Sequence, residues 1–255
     1  APTPEAQRTS DAALRRWLAD NPQAAPNTRA ALAEHGALAP VRLSVVIPTL
    51  NEAERIGRCL DAVTRLDGVH EVIVSDGGSD DRTVDIVASH PHVRVVSGAR
   101  GRAAQLNAGA AAARGEVLLF LHADCQLPVD AAACIEHALS DPAVAGGAFK
   151  LWTVPDSGPR PSAWWIHIAD IRSRYTRLPY GDQAVFCRRE AFEAVGGFPD
   201  QPILEDLVFS ERLWTQGRVA RINRRVTASA RRFEARPLYY CALMNTFPWL
   251  ARAGV

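Results

Sequence analysis

Residues 117–128 read VLLFLHADCQLP, in which five apolar residues run together before a histidine, an alanine and an aspartate. A half-solvated strand would alternate apolar with polar, so a short uninterrupted run bounded by a proline reads as a strand buried on both faces. Such strands belong to parallel sheets covered by helices on either side. The abrupt change at His122 places Asp124 at the carboxyl end of its strand. In doubly wound sheets that end faces the crevice where ligands bind.

Working outward, the same texture recurs. Short Val/Ile/Leu runs predict strands over 43–47, 71–75, 93–97 and 117–121, with helices over 52–66, 80–89 and 102–113 between them. Asn51, followed by Glu54 as the partner of a capping box, marks one helix start, and Ser79 or Asp80 marks the next. Beyond Pro128 the pattern predicts a helix over 129–139, a strand in VAGGAFKLW, a helix over 162–177, a strand in QAVFCRR and a helix in LEDLVFSERLWTQ. VARINRRVTASA reads either as two short strands or as one bent strand. Alternating strands and helices of this kind predict an α/β fold with a mixed, mostly parallel central sheet flanked by helices. The chain divides into an Ala/Pro-rich appendage over 1–40, helical or flexible, a catalytic-sized domain over 41–236, and an apolar helical segment over 237–255.

Composition narrows the partners. The 255 residues carry 29 basic and 28 acidic side chains, a net charge of +1, so no global field draws the chain to nucleic acid or to an anionic membrane. Every basic residue is arginine except Lys150, and arginine favours bidentate contacts with phosphate. The five cysteines are odd in number and show no CxxC spacing, which argues against a disulfide framework or a zinc site and points to a reducing cytoplasm. No apolar run reaches the roughly 20 residues that span a bilayer, and the opening residues lack a signal-peptide pattern. The aromatic C-terminal segment reads as a helix packed on the core or on a second copy of the chain, leaving a homo-oligomer open, or as a loose membrane contact.

Three strand ends deliver polar side chains to one edge: Pro48-Thr49-Leu50-Asn51-Glu52, Asp76-Gly77-Gly78-Ser79-Asp80, and His122-Ala123-Asp124. Taken singly, Asn51 could cap a helix, Asp76-Gly77-Gly78 could be a tight turn, and Asp124 could open a turn. Taken together, they predict one crevice.

At these residues the sequence resembles a known family. SVVIPTLNEAERIGRCL (44–60), VIVSDGGSDDRT (72–83), GEVLLFLHADC (115–125) and LEDLVFSERL (204–213) are similar, in order, to the signatures of family 2 glycosyltransferases with the GT-A fold. The resemblance covers about residues 42–235 and implies a nucleotide-sugar donor, most often a uridine diphosphate sugar. It implies that Pro48, Asn51 and Glu52 line the nucleotide pocket, that Asp76, with Gly77, contacts the base, and that Arg102 lies near the nucleotide or its phosphates. It implies also a divalent cation, Mg²⁺ or Mn²⁺, at Asp124, a hard ion matched to carboxylate oxygen. The family usually shows Asp-x-Asp there. This chain has His122-Ala123-Asp124, and no histidine follows His167 to supply a late ligand. His122 reads either as a ribose or phosphate contact or as a packed histidine.

In the acceptor half the resemblance places the family's general base at Asp206 of the Glu205-Asp206 pair, with inversion at the anomeric carbon, and sets Asp182 and Gln183 beside the acceptor. Acids at a helix start also favour its dipole without any catalytic role. Arg172, Arg174, Arg231 and Arg232 suggest an anionic acceptor. GRAAQLNAGAAAARGEVLLFLHAD, the 181–213 segment and SARRFE resemble, more narrowly, the selenosugar synthases of the selenium- and arsenosugar-associated subgroup. That implies transfer from a UDP-sugar (UDP-GlcNAc or UDP-glucose type) to selenophosphate, giving a 1-seleno-sugar and UDP. The competing expectations are a lipid-phosphate or small-alcohol acceptor, and a catalytically dead nucleotide-sugar-binding protein.

Overall fold

The computed structural model describes residues 41–155, His167, Asp170, 178–201 and 203–231. The expected 1–40 appendage, the 237–255 segment, nearly all of the 162–177 helix, and Arg172, Arg174 and Arg232 lie outside the described residues.

Among the described residues there are eight strands: β1 (Leu43–Thr49), β2 (Val69–Asp76), β3 (Val93–Ser97), β4 (Val117–Phe120), β5 (Cys125–Gln126), β6 (Val144–Val154), β7 (Phe186–Arg188) and β8 (Arg218–Ser229). Six α-helices accompany them among the described residues: α1 (Ile56–Val63), α2 (Thr83–Ala88), α3 (Arg102–Ala112), α4 (Ala131–Leu139), α5 (Arg189–Ala194) and α6 (Glu205–Leu213). The strands form one sheet in the order β3-β2-β1-β4-β7-β6-β8-β5. The first four neighbours in that order are parallel, as are β6 and β8, while β7 runs antiparallel to both β4 and β6. β5 closes the far edge antiparallel to β8.

The burial that the apolar runs demand is realised on both faces. Along β1, Val45 and Ile47 join one apolar cluster with α1, Val87 of α2 and α4, whereas Val46 joins another with α3, α5 and α6. Alternation along the strand sends successive side chains to opposite layers. Each fully buried aliphatic residue contributes about 1.5–3 kcal/mol.

Parallel register then brings the polar ends together. Thr49 pairs with Asp76 and Asp76 with Ser97, so β1, β2 and β3 end at one level. The strand order reverses direction at β1, between β2 and β4, which is where such sheets open a ligand crevice.

Helix starts depart from expectation. α1 begins at Ile56, not 52, and its cap position, Arg55, makes no side-chain capping bond. Asn51 instead adopts a left-handed φ of 57° and accepts a hydrogen bond from Asp80 N at 2.8 Å, so the Asn51–Glu54 capping box does not form. α2 likewise begins at Thr83, whose N–H donates to Asp81 rather than to Ser79 or Asp80. β8 is one strand, and its register against β6 shifts between Phe149 and Lys150, which is the bent-strand reading.

Candidate active site

The first wall of the crevice is two loops laced together. Asn51 N donates to Ser79 Oγ (2.9 Å), Glu52 N to Thr83 Oγ1 (2.8 Å) and Ala53 N to Asp81 Oδ2 (3.1 Å). Asp76, 5% exposed, is the knot beneath them. It accepts from Thr49 Oγ1, Gly78 N, Ser79 N and Ser79 Oγ at 2.6–3.0 Å. Burial pushes its pKa up, yet these hydrogen bonds outweigh burial and hold the carboxyl below its ordinary value of 3.8. Four donors match the roughly four lone-pair sites of a carboxylate. In this conformation Asp76 therefore shapes the loop, and a nucleobase would have to share a lone pair already in use. Gln105, buried on α3, stitches the same strand ends by donating to Thr49 O (2.5 Å) and Ser75 O (3.2 Å). A Cβ at Gly77 would meet that amide at 2.9 Å and push it from the carbonyls it bonds. Pro48 sits just before this junction on β1.

Asp124 lies across from those loops. Arg231 connects the two sides, its guanidinium holding both carboxylate oxygens of Glu52 at 2.7 and 3.3 Å while passing 3.9 Å from Asp124 Oδ2. The arginine expected with the acceptor thus stands beside Glu52 and Asp124, two residues expected with the donor. His122, Asp124 and Cys125 bring one ligand atom each within 4.8 Å of one another. The Cys125 thiol is pushed well up, first by burial and then by the Asp124 charge. Asp124 and Gln126 also line a cavity of about 110 Å³ together with Arg55, Arg58, Thr227 and Ser229, four residues to which the sequence assigned no role.

The second wall comes from the other layer. Phe120, two residues before His122, meets Phe198 edge-on at 4.8 Å and Phe209 of α6 at 6.1 Å, and Phe198 stacks on Phe209 at 4.2 Å. This aromatic cluster holds the start of α6 against the end of β4. Asp206, 8% exposed, accepts from Gly181 N (2.7 Å) and from its neighbour Leu207 N (2.8 Å). Gly181 opens the short 3₁₀ turn Gly181–Gln183. A Cβ there would lie 3.0 Å from His122 Nε2 and 3.2 Å from Asp206 Oδ2, so imidazole and carboxylate press on one backbone position. Burial, then the Arg102 charge, pull the His122 pKa below 6.5 against the raising influence of Asp124, Asp182 and Asp206.

Glu205, 2% exposed, is committed to an ion pair with Arg102 Nε. Burial alone would lower the arginine pKa, but the Glu205 hydrogen bond and the charges of Asp206, Glu205 and Asp182 raise it. Arg102 consequently faces the acidic start of α6. Gln183 is 3% exposed, and its Nε2 has no hydrogen-bond partner among the described residues. Three residues other than glycine take positive φ among those described: Asn51, Ala184 and Leu204. Each adjoins the crevice, where left-handed backbone costing about 1–3 kcal/mol tends to be retained for function.

With this geometry in hand, comparison with known proteins is decisive at the family level. The family model described as Glycosyl transferase family 2 matches residues 44–196. The chain belongs to glycosyl transferase family 2. Among its relatives, glycosyltransferase AglE of Haloferax volcanii is 28% identical over 176 residues, 63% of this chain and 57% of that protein. Glucosyl-3-phosphoglycerate synthase of Mycolicibacterium paratuberculosis is 37% identical over 119 residues, 42% of this chain and 36% of that protein. A PGL/p-HBAD biosynthesis glycosyltransferase of Mycobacterium tuberculosis is 31% identical over 174 residues, covering 63% and 64%. The chain therefore spans between about a third and just under two thirds of these relatives' own length. Among solved structures, S. aureus TarS 1-349 in complex with UDP-GlcNAc superposes with a TM-score of 0.55 at 19% identity, over 74% of this chain and 58% of that one. Mannosyltransferase PcManGT from Pyrobaculum calidifontis, in complex with GDP-Man and Mn²⁺, gives 0.54 at 23% identity over 84% and 67%. Identities this low speak to fold alone, and the fold of the family 2 chain is GT-A.

Proposed function

We propose that this family 2 chain transfers a sugar from a uridine diphosphate donor to an anionic acceptor of the phosphate class, and in its most specific form to selenophosphate. The observation that carries this reading is the convergence at one sheet edge of Glu52, Arg231 and Asp124 with His122, Gly181 and Asp206. Family membership supports the transferase chemistry, and the nucleotide-bound relatives of the same fold favour a nucleoside diphosphate donor. Arginine-rich surroundings favour an anionic acceptor.

A divalent cation, Mg²⁺ or Mn²⁺, suits the donor set at the strand end. Asp124 and Gln126 share a cavity and offer carboxylate and amide oxygen, and His122 stands close enough to Asp124 to add a nitrogen ligand, whereas the Cys125 thiol, its pKa pushed well up by burial, does not suit a hard ion. Bound there, the ion would offset the charge that gathers on the leaving diphosphate. The chain's own groups do the rest. Arg231, held by both oxygens of Glu52, keeps a planar guanidinium beside Asp124, suited to phosphate oxygens. Arg102 neutralises Glu205, which leaves Asp206 as the carboxylate of the pair with lone pairs to spare. Two backbone donors fix its orientation and leave roughly two acceptor sites for a sugar or acceptor hydroxyl.

In the displacement a selenium lone pair forms the new bond to the anomeric carbon as the carbon–oxygen bond to the β-phosphate breaks, and the electron pair leaves with UDP. Selenophosphate is already anionic, so Asp206 orients the reactants and need not remove a proton. Mass spectrometry of products after incubation with UDP-sugars, a divalent ion, and either selenophosphate or polyprenyl phosphate tests this. A seleno-sugar with stoichiometric UDP is expected. Turnover with polyprenyl phosphate alone would overturn the acceptor, and donor untouched under all conditions would overturn the transferase.

A further inference from the structure

On the other side of β8 from Asp124, the same sheet edge carries a carboxylate–imidazole pair that the site described above does not use. β7 runs antiparallel to both β4 and β6, so β4 and β6 are parallel to each other, and β8 is parallel to β6. Their ends are tied together: Ser229 N donates to Asp124 O at 3.2 Å, and Ala230 N donates to Val154 O at 2.8 Å. Two strand spacings of about 4.8 Å thus separate Asp124 from the end of β6, about 10 Å in all.

Thr153, next to Val154, donates its N–H (2.9 Å) and its hydroxyl (2.6 Å) to the buried Asp170. The same carboxylate lies 3.0 Å from His167 Nδ1. An ionised carboxylate only accepts hydrogen bonds, so Nδ1 carries the proton and Nε2 of the neutral ring keeps a lone pair. The ring is oriented as well. It stacks on Trp152 at 3.8 Å and 17°, against an indole that also packs on the Arg225 guanidinium at 4.0 Å. The His167 side chain still keeps 33% of its surface exposed. A buried acid that sets the tautomer and direction of a partly exposed imidazole is how proton-accepting histidines are built. As a fastening alone the pair would not need the imidazole, because Thr153 already gives Asp170 two bonds.

The position suits a hydroxyl nucleophile, which must shed its proton as it attacks. A cation–oxygen contact of about 2 Å, an attack distance of about 3 Å and a base contact of about 3 Å take up most of the span from Asp124. The geometry points to His167 as the proton acceptor for hydroxyl-bearing acceptors, with Asp170 as its positioning residue. The inference rests on the transfer reading and adds a base to it. In that step the hydroxyl oxygen bonds to the anomeric carbon and its proton passes to His167 Nε2. The carbon–oxygen bond to the β-phosphate breaks, and its electron pair leaves on UDP.

The test compares initial rates of transfer from UDP-GlcNAc and UDP-glucose to glycerol and to selenophosphate, with Mg²⁺ and the full chain, by mass spectrometry. His167→Phe keeps an aromatic ring for Trp152 but has no lone pair. It should lower glycerol transfer about a hundredfold or more, with a far smaller loss for selenophosphate, whose nucleophile is already anionic. UDP affinity in calorimetry should not change, and added imidazole should restore part of the glycerol rate to His167→Ala. Asp170→Asn should lower kcat for glycerol while KM for the UDP-sugar holds. Equal glycerol transfer by wild type and His167→Phe overturns the assignment, since stacking then suffices. An equal loss with both acceptors also overturns it, as a structural role would act on both. Selenophosphate transfer without glycerol transfer removes the base and leaves the transfer reading standing. Glycerol transfer that depends on His167, without selenophosphate transfer, keeps the base and removes the anionic acceptor; transfer to neither removes both.

Discussion

A methyl group added at Gly181 would meet the His122 ring at 3.0 Å and the Asp206 carboxylate at 3.2 Å, and neither group is the loose end of a flexible side chain. A shift of a few tenths of an ångström is then forced on His122 and Asp206, which the proposed function sets at the reacting groups. Misplacement of reacting groups by up to about 1 Å can lower rates as much as a hundredfold. Gly181→Ala is expected to reduce turnover about tenfold to a hundredfold while changing unfolding free energy by less than about 1 kcal/mol. Steady-state kinetics and urea unfolding check both halves, and an unchanged rate would detach Gly181 from the site. His122 carries a second prediction at this scale. Its folded pKa lies below the ordinary 6.5, so between the two values the unfolded chain binds a proton that the native chain does not. Stability should decline as pH falls below about 6.5 and level off once the folded pKa is passed. His122→Gln should flatten this part of the slope in urea unfolding at pH 7.5, 6 and 5; identical acid slopes in the two proteins would contradict the burial argument. From the sequence alone His122 could be a ligand contact or a packed ring, because its neighbour Gly181 is far along the chain.

At the scale of elements, the apolar runs of β1 to β4 were legible because full burial on both faces leaves a pattern that solvent-exposed strands lack. The helix starts were not. Asn51 has every local mark of a cap, yet its partners are Ser79 and Asp80, and tertiary bonds between loops outcompete a cap. Residues 189–194, which form α5, carry no long periodic pattern and were unassigned. The middle of the sheet depends on a pair of glycines that also went unread. A Cβ at Gly146 would lie 2.3 Å from Phe186 O and 2.9 Å from Cys187 Cα, both backbone atoms of β7. Backbone in a central strand cannot step aside, so Gly146→Ala should cost about 3 kcal/mol, the upper end of the usual overpacking range. Equilibrium urea unfolding measures it, and a loss under about 1 kcal/mol would show that β6 and β7 part more easily than their register implies.

At the scale of the whole molecule, the ordered set of motifs identified the family and the strand ends located the crevice, since both are readable along the chain. Pairings across it were not. Arg231 belongs by sequence to the acceptor half but clasps Glu52, 179 residues away, and Glu205 is engaged by Arg102 at a separation of 103. Such ion pairs arise only when β8 crosses beside β5 and the start of α6 is held to β4 by aromatic packing. These ion pairs engage Glu52 and Glu205, hydrogen bonds engage Asp76, and the proposed function assigns Asp124 and Asp206 to ligands. The most direct test of that assignment is titration of UDP, with and without Mn²⁺, into the wild-type chain and Asp124→Ala. Saturable binding that Mn²⁺ strengthens about tenfold or more is expected for the wild type, with the metal response abolished by the substitution. Equal affinity and equal metal response in the two proteins would contradict the assignment of Asp124 to the donor diphosphate.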